Sequence, residues 1–252
     1  MVSFVATPIG NLGDITFRAV ETLKNADEIY CEDTRHTIKL LNAYEIKKPL
    51  YACHKFNERQ AAEKIAAEAL AGKNIAIVSD AGMPVVSDPG NIVCEVLKEK
   101  GVEYTVIPGA NAALCALILS GLPADKFLFV GFLPEKKGEK RAVLEKFKDT
   151  EATLLFHEAP QDIDGDVREM YEVFGERRAA AVREITKIHE ESAAFLLSEG
   201  LQGEKRGEYV LVVQGAGKKE NPLCALSEKE HILHYMREGY DKKEAVKTAA
   251  KD

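Results

Sequence analysis

The sequence predicts an α/β protein, with short strands alternating with helical crossovers, and three observations carry that expectation. Short β-branched runs such as 74–78 and 104–107 recur, separated by stretches of helical length. Loops dense in glycine, proline and polar residues follow several of these strands, at 7–11, 32–36, 54–57, 79–90 and 108–112. The chain has 252 residues, 46% of them hydrophobic, enough for one large domain or two medium ones. Alternation of this kind gives a mostly parallel sheet covered on both faces, with its distinctive loops on one edge.

The elements follow in order. A strand at 2–6 runs into the Thr7–Pro8–Ile9–Gly10–Asn11 turn, and Asp14 or Thr16 caps a helix reaching about residue 25. A strand at 29–31 ends in five polar residues, Glu32–Asp33–Thr34–Arg35–His36, with a short helix over 37–42. The 50–53 strand ends at His54, and Asn57 opens an alanine-rich helix, 58–71, that Gly72 stops. After the 74–78 strand and the 79–90 loop come a helix over 91–99, the 104–107 strand and a second Pro-Gly turn leading into a helix. Gly121–Leu122–Pro123 marks a junction. Beyond it, strands at 127–130, 153–156, 179–182 and 210–213 each sit beside a polar or glycine-bearing loop, with helices ending at 148 and spanning 167–174. Residues 215–220 read as a linker, and helices over 227–237 and 242–251 close the chain. The division is therefore an amino-terminal α/β domain, 1–119, a second α/β domain, 120–216, and a linker with a partial helical tail, 217–252.

The 79–90 loop, SDAGMPVVSDPG, holds two glycines, two prolines and two aspartates in twelve residues. That is more punctuation than a plain strand-to-helix connection needs, and its place at a strand's carboxyl end is where α/β proteins bind ligands. No G-x-G-x-x-G follows a strand and no P-loop pattern occurs. The loop lacks the basic residue a polyphosphate requires, while Asp80 and Asp88 repel phosphate and accept hydrogen bonds. A neutral or zwitterionic adenosine-like ligand fits better, and S-adenosylmethionine, which needs no metal, is the expected cofactor. Glu32, Asp33, Arg35, His36, His54 and Asn57 are candidates for the acceptor side, where a carboxylate or imidazole assists deprotonation of a hydroxyl. The plainer alternative makes Asp33–Arg35 a structural ion pair and His54 a helix cap. From the second half, Glu158, Arg183, Glu184, Thr186 and Lys187 are candidates for the same cleft. The basic run Lys136, Lys137, Lys140 and Arg141, with Arg183 and Lys187, offers a phosphate track or an ordinary solvated helix start.

Net charge is -7 and the pI about 5.5, which argues against broad, sequence-blind nucleic-acid binding. The five cysteines have no C-x-x-C spacing and form no zinc pattern with the six histidines, so free thiols and no metal are expected. The start MVSFVATPIGN lacks the basic segment of a signal peptide, and the apolar 110–119 stretch is too short to span a bilayer; a cytoplasmic protein without membrane contact is expected.

Eight stretches carry a resemblance: VATPIGNLGDIT (5–16), CEDTRHT (31–37), HKFN (54–57), SDAGMPVVSDPG (79–90), IPGANAA (107–113), SGLPADKFLFVGFLP (120–134), REITK (183–187) and RGEYVLVV (206–213). In this order and spacing the chain resembles the RsmI family of bacterial 16S ribosomal RNA cytidine-2'-O-methyltransferases, within the tetrapyrrole methylase superfamily. The resemblance implies two α/β domains of the tetrapyrrole methylase type with the cofactor cleft between them, plus a short helical carboxyl-terminal tail. It implies that Pro8, Asp80, Ala81, Gly82, Met83, Pro84, Asn111 and Ala112 hold S-adenosylmethionine, with Glu158, Ala159, Gly207 and Glu208 closing from the second domain. It implies methylation of the ribose of a decoding-centre cytidine in 16S rRNA of the small ribosomal subunit, by a homodimer. Asp33 and His54 are then the candidate bases, with Glu32 and Arg35 orienting and Asn57 beside them.

The chain departs from the family in places. Glu158–Ala159–Pro160–Gln161–Asp162 stands where relatives read E-S-P-H-R, replacing an arginine with an acid. Asn111 stands for a serine, and 195–198 replaces an R-G-T-like segment. The tail, 240–252, stops before the family's last helix. Two other functions remain open: another methylase of the superfamily, acting on a porphyrinoid carbon or a protein side chain, and a non-catalytic ribosome-binding protein that keeps the fold.

Overall fold

The computed structural model describes residues 1–217, 223 and 226–250. The first compact unit, 1–215, carries two five-stranded sheets. The first sheet is built from β1 (Val2–Val5), β2 (Glu28–Cys31), β3 (Leu50–Ala52), β4 (Ile75–Val78) and β5 (Tyr104–Ile107), in the order β3-β2-β4-β1-β5. Every pairing in it is parallel. Strands β1, β2 and β4 are buried along their whole length, as expected of a sheet covered on both faces. Helices α1 (Phe17–Asn25) and α2 (Thr34–Ala43) bury Ala19, Leu23 and Leu41 on one face. On the other face, α3 (Glu58–Leu70) and α4 (Asn91–Glu99) bury Ile65, Val96 and Leu97. Because the strands are parallel, the loops after β1 to β5 all emerge on one edge.

Local chemistry fixes the helix starts. Thr16, not Asp14, caps α1 by accepting from the Ala19 amide. Helix α2 begins three residues earlier than the sequence suggests, because the Asp33 side chain accepts from the Arg35 amide and caps it. Helix α4 has a glycine at its N-cap and borrows a distant one: Glu58, buried at the start of α3, accepts from the amides of Gly90 and Ile92 at 2.7 and 2.9 Å.

Helix α5 (Ala112–Ser120) buries Ala113, Ala116 and Leu117 against Leu155, Val182 and Val210 of the second sheet. That sheet holds β6 (Phe127–Phe132), β7 (Thr153–Glu158), β8 (Arg178–Arg183), β9 (Glu191–Leu196) and β10 (Tyr209–Val213), in the order β6-β7-β10-β8-β9. Only β6 and β7 pair in parallel. Strand β10 lies between β7 and β8, antiparallel to both, and β9 is antiparallel to β8. Helices α6 (Lys137–Phe147) and α7 (Ile163–Phe174) cover one face, burying Leu144, Ile163 and Met170 over Leu154, Phe156 and Leu211. Strand β9 has no counterpart in the sequence reading; it is an edge strand with largely exposed residues.

The second unit, 216–252, contains α8 (Glu228–Arg237), opened by a Ser227–Glu230 capping box, and α9 (Lys242–Ala249), capped by Asp241. Residues 218–220 of the expected linker, Cys224 and the expected helix end at Lys251 lie outside the described residues. Cys31, Cys53, Cys94 and Cys115 are free thiols. Among the described residues no helix is long and apolar enough to cross a membrane.

Candidate active site

The 79–90 loop is held at both ends and strained in the middle. The Thr7 hydroxyl donates to the Ser79 carbonyl, the Ser79 hydroxyl donates to the Gly82 carbonyl, and Thr7 and Gly82 exchange backbone hydrogen bonds. These contacts bind the loop after β4 to the loop after β1. Val85 and Ser87 have φ of 76° and 64°, left-handed values uncommon for residues other than glycine and most unfavourable for the β-branched Val85. Strain of this kind persists only where its surroundings over-determine it, and it clusters at functional sites. Here Glu58 clamps the end of the loop. On the second sheet, Gly131 interrupts the β6 register, and a β-carbon there would lie 3.3 Å from the Ser87 Oγ.

Between the loop and the second sheet is a cavity of about 410 Å³, within the size range of small-ligand sites. Asp80, Ala81, Gly82, Met83, Asn111 and Ala112 line it from the first sheet. Glu158, Ala159, Gly207, Glu208 and Lys187 line it from the second. Pro8 and Pro84 are off the wall, each next to a residue, Ile9 or Met83, that is on it. Asn111 caps α5 by accepting from the Leu114 amide, the same bond a serine makes at that position. The wall also includes Ile9, Phe129, Phe132 and His157, which the sequence did not single out. The aromatic residues at 127, 129 and 132 were a usable signal, since alternation along β6 had to turn some of them toward a ligand or the core.

Acids dominate the polar part of this wall: Asp80, Asp88, Glu158, Glu184 and Glu208 against Lys187. Burial, then the charges of Glu32 and Asp80, pushes the Asp88 carboxyl up to about 6. Glu158 is pushed far above the carboxylate range by burial and by Asp166, with which it shares a hydrogen bond; its Oε1 has no protein partner. Glu184 goes the other way, held low chiefly by the Glu208 amide, which donates to it at 3.1 Å. Burial pushes the His157 imidazole down, and its ring packs against Phe129 and Phe132, both 5.2 Å away. Gly207 has φ of 78°, and any β-carbon there would lie 2.3 Å from the Glu184 Oε1.

The residues nominated for the acceptor side lie beside this cavity rather than in its wall. The Asp33 amide donates to the Asp80 Oδ1 at 3.2 Å, which joins the β2 loop to the cavity. The Asp33 carboxylate is engaged by the Arg35 guanidinium at 2.7 Å and by its amide, which hold it down near 2. The ion pair of the plainer reading therefore exists. His54 is not a helix cap: its amide donates to the Asn57 Oδ1, and Asn57 donates onward to the Ala52 carbonyl. The His54 Nδ1 is buried without a partner. Glu32 is half-buried and adds negative charge at Asp88.

The six cations expected to meet phosphate all face carboxylates. Lys136 pairs with Glu139, Lys137 and Arg141 with Glu169, and Arg183 with Glu191. Lys187 bridges Glu184 and Glu208. Lys140 is the extreme case, its side chain 15% exposed and in contact with Asp166, which is 4% exposed. Lys140 and Arg141 tie α6 to α7, and phosphate contact would leave buried acids of α7 unpaired.

Two α/β sheets sharing one acidic, partly aromatic cavity define a two-lobed small-ligand enzyme fold. Residues 1–200 match the profile of the Tetrapyrrole (Corrin/Porphyrin) Methylases, and the chain belongs to that family of methyltransferases. It is 44% identical to the Ribosomal RNA small subunit methyltransferase I of Halalkalibacterium halodurans over 98% of this chain and 89% of that protein. It is likewise 44% identical to the Bacillus subtilis protein of the same name, over 98% of this chain and 88% of the other. Among solved structures, the Thermus thermophilus uroporphyrin-III C-methyl transferase complexed with S-adenyl homocysteine superposes with a TM-score of 0.58 at 19% identity, covering 84% of this chain and 96% of that one.

Proposed function

We propose that this protein transfers the methyl group of S-adenosylmethionine to the ribose 2'-hydroxyl of a decoding-centre cytidine in 16S rRNA, acting on the small ribosomal subunit. The observation that carries this is the junction of an acidic cavity with a polar crevice through the Asp33–Asp80 hydrogen bond. The relatives' shared name supports the ribosomal substrate.

The wall fits the cofactor. Its excess of carboxylates favours a cationic sulfonium and repels a polyphosphate, and its apolar residues suit an adenine ring. When bound, S-adenosylmethionine supplies a methyl already activated by the sulfonium, so the protein's task is alignment and proton removal. Asp80 to Pro84, Asn111 and Ala112 hold it from one side, with Pro8 fixing the adjoining turn; Glu158, Ala159, Gly207 and Glu208 close from the other.

We assign the proton acceptor for the 2'-hydroxyl to Asp88, which lines the cavity and whose carboxyl is pushed up chiefly by burial. Asp33 is too acidic for that role and serves with Arg35 and Glu32 to orient the ribose. His54 and Asn57 shape the far side of the crevice. Lys136, Lys137, Arg183 and Lys187 contact phosphates by exchanging carboxylate partners, while Lys140 and Arg141 remain structural. The reading includes a cytoplasmic homodimer, supported by exposed Leu114, Ile118 and Leu119 on α5; light scattering tests it.

The test of function is mass mapping of rRNA after incubation with small subunits and labelled cofactor. Label on one decoding-centre ribose is expected. Label on a base, or transfer only to porphyrinoid precursors, overturns the reading.

A further inference from the structure

The six cations singled out in the sequence are all ion-paired, and two cations without a carboxylate partner among the described residues lie in and just after another loop of the same sheet edge. The loop after β3 reads His54–Lys55–Phe56–Asn57. Phe56 is 84% exposed, although it sits on a loop pinned by the Asn57 side chain at both His54 and Ala52. The Lys55 Nζ lies 5.0 Å from the centre of its ring, and the His54 ring meets it edge-on at 6.0 Å. Among the described residues neither Lys55 nor Arg59, both exposed, forms an ion pair with a carboxylate. A large aromatic side chain held toward solvent by a rigid loop, with Lys55 over one face of its ring and Arg59 three residues on, neither cation paired with a carboxylate among the described residues, has the make-up of a single-strand nucleic-acid platform.

Its location agrees. Strand order runs β4-β2-β3, so the β3 loop stands two strand spacings from the Asp80 loop, about 10 Å along the sheet edge. A nucleotide next to one reacting at the cavity falls in this range.

We propose that Phe56 is a stacking platform for an unpaired base flanking the target nucleotide, with Lys55 and Arg59 holding the adjoining phosphates. This rests on the RNA reading above. An aromatic patch used for self-association would not need Lys55 and Arg59 beside it without carboxylate partners, which is why a base is the favoured occupant over a second copy of the chain.

The test compares wild type, F56A, F56W and the K55A/R59A pair on small ribosomal subunits. Phe56 makes no core contact, so F56A should melt with wild type and bind S-adenosylmethionine with unchanged affinity. KM for the subunit should rise five- to a hundredfold in F56A, with F56W restoring it, since the loss of one stacked base is of that size. K55A/R59A should flatten the salt dependence of KM by about two in log–log slope. If wild type methylates subunits and F56A matches it in KM, this proposal fails while the functional reading stands. If F56A instead changes the oligomeric state without changing KM in proportion, the face is a protein contact and the proposal fails. If wild type transfers no methyl to subunits, both fall.

Discussion

The 79–90 loop and the 136–141 basic run both stand out in the sequence, and they come to opposite ends. The loop keeps its backbone strained and its aspartates turned to a cavity. The run folds its charges into ion pairs, most of them with acids of α7. Glycine and proline restrict their own backbone, so their message is local. A lysine's message depends on which acid lies opposite, and α7 is more than twenty residues away in sequence. Surface charge on its own is therefore weak grounds for a phosphate site, whereas punctuation at a parallel strand's carboxyl end is strong grounds for a ligand site.

The largest expected effect tests the loop side of this comparison. Asp88→Asn should lower kcat by about a hundred- to ten-thousandfold, the range for loss of a general base. Wild-type activity should rise through pH 6 and level off above it, following ionisation of Asp88. Stability should respond in the opposite sense. The folded state holds the Asp88 proton more tightly than the unfolded chain, so stability falls as pH climbs from about 4 to 6, and D88N removes that loss. A flat rate profile, or near-wild-type kcat in D88N at normal stability, would return the base assignment to His54.

On the basic side, Lys140→Met should cost about 3–5 kcal/mol in denaturant unfolding, because it leaves the buried Asp166 carboxylate unpaired beside Glu158. Adding Asp166→Asn should recover much of that loss. If K140M weakens only subunit binding and leaves stability intact, the run is a phosphate track after all. Gly207→Ala should be milder, about 1–3 kcal/mol, from a non-glycine at φ 78° and a β-carbon driven into Glu184. Calorimetry should show it chiefly as weaker S-adenosylmethionine binding.

Much of the fold was legible because hydrophobic runs and cap residues act locally. The strands of the first sheet, the Thr16 cap and the loop edge all follow from adjacent residues. The second sheet was less so. The α7 crossover does make β7 and β8 run the same way, but β10 comes from much later in the chain and inserts between them, turning the pairings antiparallel. Strand β9 was invisible because Glu-Ser-Ala-Ala-Phe-Leu on an edge has no buried face strong enough to show period-two patterning. At the site, the backbone loops were readable and the pKa relationships were not. Asp88 owes its raised pKa to burial and to Glu32 and Asp80, which only folding brings near.

The smallest expected effect separates a solvated cation from a buried one. The Lys136 side chain is 82% exposed and pairs with an exposed Glu139 three residues on. Lys136→Ala should change stability by at most about 0.5 kcal/mol, as solvated pairs of this spacing do. If Lys136 exchanges Glu139 for phosphate, KM for the small subunit should rise only a few-fold, with the salt slope reduced by about one. Lys136 and Lys140 are thus separated by readout: one moves salt dependence and not stability, the other stability first. Should K136A leave both KM and its salt slope untouched while K55A/R59A shifts them, the RNA path lies along the β3 loop and bypasses the run entirely.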